Sequence, residues 1–128
     1  METIYVFNPV SPDVGMEDII DKVIGNEFNE GRQQLAIAFE EAFMNICKHA
    51  YEKDKGPAMV VVSINDKNIV ISLCDCGPGY DPVHAPVPDI TEGQIGGHGL
   101  RLMHAYANME YKRAGNYNIL VLSNKTSL

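Results

Sequence analysis

Residues 77–99 hold six glycines and four prolines: Gly77, Gly79, Gly93, Gly96, Gly97 and Gly99, with Pro78, Pro82, Pro86 and Pro88. No helix or sheet interior tolerates that density, because proline lacks a backbone donor and glycine loses the most conformational freedom on ordering. A chain of 128 residues must therefore build its core from the segments on either side. The stretch between them is a loop of about 20 residues, and loops that long inside a compact domain are usually functional or mobile.

The flanking segments carry clear periodicities. Thr3 to Phe7 reads as a short strand closed by Asn8 and Pro9. Ser11 before Pro12 predicts a helix start, since serine caps and proline fits the first helical position. Met16, Ile19, Ile20, Val23 and Ile24 follow at helical spacing, and Gly25 closes that helix. A longer helix is expected from Glu30 to Tyr51, with Leu35, Ala38, Phe39, Ala42, Phe43, Ile46 and Ala50 as its apolar stripe. Met59 to Ile64 is apolar on both faces, which predicts a central strand, and Ile69 to Asp75 returns after an Asp66-Lys67-Asn68 turn. Beyond the loop come a short helix, Gly99 to Ala107, and a hairpin of Met109–Arg113 with Tyr117–Ser123 around Gly115-Asn116. This order predicts one α/β (α+β) two-layer sandwich over residues 1–128, with a mixed, largely antiparallel sheet and helices on one face.

Composition narrows the function classes. With 45% hydrophobic residues the chain can bury an ordinary core without a disulfide or metal staple. No apolar run approaches the roughly 18 to 20 residues of a membrane span, and METIYVFNPVSP lacks the basic and apolar regions of a signal peptide. A cytoplasmic protein is expected. The three cysteines Cys47, Cys74 and Cys76 form no disulfide framework and lack zinc-site spacing, so buried reduced thiols are expected rather than a metal or redox regulator. The net charge of −7 arises entirely in residues 1–66, with 12 acids against 5 bases. That balance disfavours nucleic acid, whose binding needs basic residues to release counterions. Six of the acids and one lysine lie between Asp13 and Glu30, including Glu17, Asp18 and Asp21 on the first helix. They form either a solvated face or a surface for a basic protein partner.

Three short segments carry candidate chemistry. Glu41, Asn45 and His49 are spaced i, i+4, i+8 beside the apolar stripe, a row that is either a solvated face or one wall of a site. Asp75 ends an apolar strand and precedes Gly77-Pro78-Gly79, where a carboxylate can accept from an exocyclic amine beside unobstructed backbone, or simply close a turn. Gly96-Gly97-His98-Gly99-Leu100 opens a helix whose N–H groups can approach phosphates.

Taken in order, Glu41-Ala42-x-x-Asn45-x-x-x-His49-Ala50-Tyr51, Asp75-x-Gly77-x-Gly79 and Gly97-x-Gly99-Leu100 resemble the N, G1 and G2 boxes of the GHKL ATPase superfamily. The resemblance is best to the bacterial anti-sigma factor serine/threonine kinases and covers nearly the whole chain. It implies a Bergerat-type ATP-binding fold, with ATP and Mg²⁺ as cofactors. Asn45 would present its amide oxygen to Mg²⁺, and Glu41 would serve as general base beside the γ-phosphate. Asp75 would read the adenine amino group, with Gly77 and Gly79 close to the base and Gly97, His98, Gly99 and Leu100 at the phosphates. Residues 80–96 would form the ATP lid. Lys48 would face a phosphate or water, and His49 and His104 would be structural. Family members commonly carry a basic lid residue, yet no lysine or arginine lies between Tyr80 and Leu100, leaving Arg101 to substitute. The implied partners are a STAS-domain anti-anti-sigma protein, a sigma factor, or both, and a second copy of the chain in a homodimer. The implied activity is serine/threonine phosphorylation; the alternative is a nucleotide-responsive binding module with little turnover.

Overall fold

A computed structural model describes residues 1–50, 56–87, 98–126 and 128. Its five strands are β1 (Glu2–Phe7), β2 (Ala58–Ile64), β3 (Ile69–Asp75), β4 (Ala107–Ala114) and β5 (Tyr117–Asn124). They form one sheet in the order β1-β2-β3-β5-β4. The sheet expected to be mixed is antiparallel at every described pairing. Short turns account for two of the pairings: four residues join β2 to β3 and two join β4 to β5, connections too short for a parallel crossover.

Helices α1 (Met16–Ile24), α2 (Glu30–Asn45) and α3 (His98–Tyr106) cover one face. The inward rows of the sheet, Val60 and Val62 on β2, Ile69, Ile71 and Leu73 on β3, and Leu122 on β5, are buried against them. Leu35, Phe39 and Phe43 of α2 fill the centre, with Phe43 edge-on to Phe7 at 5.3 Å between ring centroids. Truncating either buried phenylalanine to alanine is expected to cost about 3–5 kcal/mol. Because α2 lies across β3 and β5, its cavity-side residues face the end of the central strand.

Two local features depart from expectation. Helix α1 begins at Met16, not at Pro12. The Ser11 hydroxyl instead accepts from the Asp13 N–H, 3.2 Å, and Gly15 takes a left-handed φ of 82° that a helix cannot run through. A β-carbon on Gly15 would also strike the Phe7 ring, 2.5 Å from Cε1. Helix α2 starts as expected, its Asn29 cap accepting from the Arg32 N–H at 3.1 Å, but passes after Asn45 into a π-helical turn, Ile46–Ala50.

Among the described residues, the β1–β2 side of the outer sheet face carries an uncovered apolar patch, which gives way to Glu110 and Lys112 on β4. Ile4 and Val6 of β1 are 57% and 73% exposed, and Met59 of β2 is 40% exposed. Register continues these rows as Val6, Met59, Cys74, Ile119 and as Ile4, Val61, Ser72, Val121. Thus β2 is apolar on both sides, as its sequence suggests, yet lies beside the edge strand; β3 is central.

Candidate functional site

A cavity of about 920 Å³ opens between α2, its π-helical turn, the N-terminus of α3 and the ends of β3 and β5. Its volume lies in the upper range of small-ligand pockets. Glu41, Asn45, Lys48 and His49 line it from the long helix, Asp75 from β3, and His98, Gly99 and Leu100 from α3.

The π-helical turn is what keeps one row on the cavity side. At 3.6 residues per turn, His49 would lie about 80° around the helix from Glu41. A wider i→i+5 turn advances less per residue, which brings His49 back toward the line of Glu41 and Asn45. The same turn ends at Ala50, whose carbonyl packs against Gly77 so closely that any β-carbon on Gly77 would overlap it. Gly77 therefore couples the end of the long helix to the turn after β3.

At that turn, Asp75 is buried, and its Oδ1 accepts from the Gly77 N–H and from Asn118 Nδ2, each at 2.9 Å. Asn118 also donates to the Gly77 carbonyl at 2.9 Å. Its own Oδ1 accepts from the Tyr111 hydroxyl at 2.6 Å and from Arg113 Nη1 at 2.7 Å. Sequence reasoning missed all three of these residues. The available signal was the alternation Asn118, Leu120, Leu122, which sets a polar side chain at the end of an inward apolar row.

At the other end, Gly99 brings α3 against α2. A β-carbon there would lie 2.6 Å from Glu41 Oε2, so the carboxylate lies beside the first turn of α3. Asn45 donates from Nδ2 to Met103 Sδ at 3.7 Å. Sulfur only accepts, so this contact fixes the amide and leaves its Oδ1 for another partner.

The remaining expected residues divide. Neither Gly77 nor Gly79 lines the cavity: Gly77 packs against the Ala50 backbone and Gly79 on Arg113. Arg101, expected at the phosphates, is exposed and outside the cavity wall. It follows Gly99 by two positions and so falls on the opposite side of α3 from Gly99 and Met103. Gly97 and residues 88–96 of the expected lid lie outside the described residues. The described start of that segment puts Tyr80, Pro82 and Pro86 on the cavity wall. His104 is structural as expected, its Nε2 bonded to the Pro82 carbonyl at 2.9 Å. Asp81 caps the turn by accepting from the Val83 N–H at 2.8 Å and contacting His84 Nδ1 at 2.6 Å. Desolvation opposes ionisation of Asp81, but hydrogen bonds from His84 and from the Val83 and His84 N–H groups outweigh it and hold the carboxyl below its ordinary value.

The cysteines are not uniformly buried. Cys74 is half-buried on the outer sheet face and Cys76 is exposed, because β3 ends at Asp75. Desolvation, then the neighbouring Cys76 and Asp75, push the Cys74 thiol up. Among the described residues no cluster of three histidine, cysteine or acidic side chains could hold a metal ion, and no helix is long and apolar enough to cross a membrane.

Comparison with known proteins agrees with this geometry. Over 103 residues the chain is 30% identical to the serine/threonine-protein kinase BtrW of Bordetella bronchiseptica, an alignment covering 75% of this chain and 72% of that protein. Residues 25–124 match the histidine kinase-like ATPase domain, a span that contains the long helix, the turn after β3 and α3. The chain thus belongs to the family of histidine kinase-like ATPase domains, as its resemblance to the GHKL anti-sigma factor kinases implied.

Proposed function

We propose that the cavity binds Mg-ATP and that the chain is an anti-sigma-type protein serine/threonine kinase. Its acceptor would be a serine or threonine on a STAS-domain anti-anti-sigma partner in the cytoplasm. The observation that carries this reading is the spacing of the two ends of the site. Glu41 touches Gly99, whereas Ala50 touches Gly77 beside Asp75. Nine residue steps lead from Glu41 to Ala50, at most about 13 Å at the α-helical 1.5 Å each, a span that suits an adenosine triphosphate lying along the helix.

On this reading, Asp75 accepts from the adenine amino group with Oδ2, since both of its bonds among the described residues fall on Oδ1. The N-terminus of α3, on the cavity wall at His98, Gly99 and Leu100, turns the positive end of its helix dipole toward the phosphates. Glu41 takes the proton of the acceptor hydroxyl, a contribution typically of 10²–10⁴ in rate. Asn45 Oδ1 suits Mg²⁺, a hard cation that keeps water and phosphate oxygens as its other ligands and needs no protein cage. When bound, that ion neutralises charge on the phosphates.

A second reading, a nucleotide-responsive module that sequesters a sigma factor with little turnover, has its own support. Among the described residues Lys48 is the one lysine or arginine on the cavity wall, and it is exposed. Transition-state charge in phosphoryl transfer is usually met by such groups. Transfer of label from γ-labelled ATP to a cognate STAS protein separates the two. Label on the partner that is lost in Glu41→Ala supports the kinase; nucleotide-dependent partner binding without label supports the module.

Homodimerisation belongs to the same proposal. The exposed Ile4, Val6 and Met59 on the outer sheet face support a second copy as its cover. Val6→Lys should then convert a dimer to a monomer by sedimentation, and an unchanged mass would remove this face from the interface.

A further inference from the structure

We propose that Asn118 is a positioning residue that fixes the rotamer of Asp75 and thereby sets the preference for a purine bearing an exocyclic amine. The inference rests on the reading that Asp75 accepts from that amine.

The bonding capacity of Asn118 is used up within the protein. Its Nδ2 has two hydrogens, and these meet Asp75 Oδ1 and the Gly77 carbonyl, both at 2.9 Å, with the Pro78 carbonyl a longer third acceptor at 3.4 Å. Its Oδ1 has two lone pairs, taken by the Tyr111 hydroxyl at 2.6 Å and Arg113 Nη1 at 2.7 Å. The amide cannot be reversed, because guanidinium only donates and an ionised carboxylate only accepts. Asn118 is 5% exposed, so water does not substitute for these partners. A saturated amide of this kind makes no further bond to a ligand. It acts on one through Asp75.

That action is directional. Asn118 and the Gly77 N–H both bind Oδ1 of Asp75, so among the described residues the carboxylate is held from one side and its other oxygen is left for the cavity. Removing the amide leaves a single backbone donor, about which the carboxylate can turn. Arg113 extends the hold by donating to the Gly77 carbonyl at 3.2 Å, which ties β4 as well as β5 to the turn after β3. Sheet register creates the pairing: Asp75 lies opposite Asn118, and Asn118 opposite Arg113.

A thermodynamic cycle tests this without relying on activity. ATP and purine riboside triphosphate, which lacks the 6-amino group, are titrated by calorimetry against the full chain and Asn118→Ala. The wild type should prefer ATP at least tenfold, and the preference should fall below threefold in Asn118→Ala. A purely structural role would weaken both nucleotides equally and keep the ratio, which would overturn the proposal. A wild-type ratio near one would overturn the Asp75 reading itself, and this proposal with it. If Asn118→Ala fails to fold, Tyr111→Phe removes one donor that holds the amide and should still reduce the ratio. A ratio unchanged from wild type in a folded Tyr111→Phe then counts against the proposal.

Discussion

Gly99 of α3 stands so close to Glu41 of α2 that a single added methyl would lie 2.6 Å from the carboxylate oxygen Oε2. The neighbour it meets is the far end of a flexible side chain, which can swing away at little cost. Alanine is also favoured over glycine in a helix by up to about 1 kcal/mol. Gly99→Ala is therefore expected to leave the melting temperature within about 3 °C of wild type, less than a 1 kcal/mol change gives in a domain of this size. It should nevertheless lower phosphoryl transfer at least tenfold, by displacing the proposed general base. Paired melting and transfer measurements check this; equal loss of both would mean that the contact is structural.

Gly77 poses the opposite case. Its β-carbon would meet the backbone of Ala50, and backbone at the end of a helix cannot swing aside. Gly77→Ala is expected to cost more than about 2 kcal/mol in denaturant unfolding, because overpacking against backbone is among the larger single-residue effects. Nucleotide affinity should fall with it. Stability within 0.5 kcal/mol of wild type, roughly the effect of a neutral surface change, would show that the π-helical turn and the turn after β3 are not coupled.

The acidic excess of the first half is gathered in space. Asp13, Glu17, Asp18, Asp21 and Glu40 line a groove between α1 and α2, apart from the cavity between α2 and α3. An anionic nucleotide gains nothing from such a surface, whereas a basic protein partner would. Reversing charge at Glu17, Asp18 and Asp21 is expected to slow partner association and reduce its salt dependence while leaving ATP affinity unchanged. Stopped-flow association at two ionic strengths reads this out; unchanged rates would return the acids to the role of a solvated face.

The elements were legible where periodicity is strong. The apolar stripe of α2 and the inward rows Val60, Val62 and Ile69, Ile71, Leu73 are buried as their spacing predicts. The start of α1 was not, because Ser11-Pro12 is a valid cap signal that loses locally to the Ser11–Asp13 turn and to Phe7 packing on Gly15. Nor was the π-helical turn, whose i→i+5 bonds leave no mark on an apolar pattern. In the cavity, Glu41, Asn45, Asp75 and Gly99 fall in short recognisable segments. Asn118, Tyr111 and Arg113 do not, since they are joined to Asp75 only by the register of β3, β5 and β4. Arg101 illustrates the converse: adjacency in sequence to Gly99 put it on the wrong side of α3.

The central claim is that this cavity is a nucleotide site read by Asp75. Calorimetric titration of Mg-ATP into the wild-type chain and into Asp75→Ala tests it most directly. One bound nucleotide per chain is expected in the wild type, with at least tenfold weaker binding in the variant, about 1.4 kcal/mol. Equal affinity in both, or no heat of binding and no rise in melting temperature with either ATP or ADP, would contradict it.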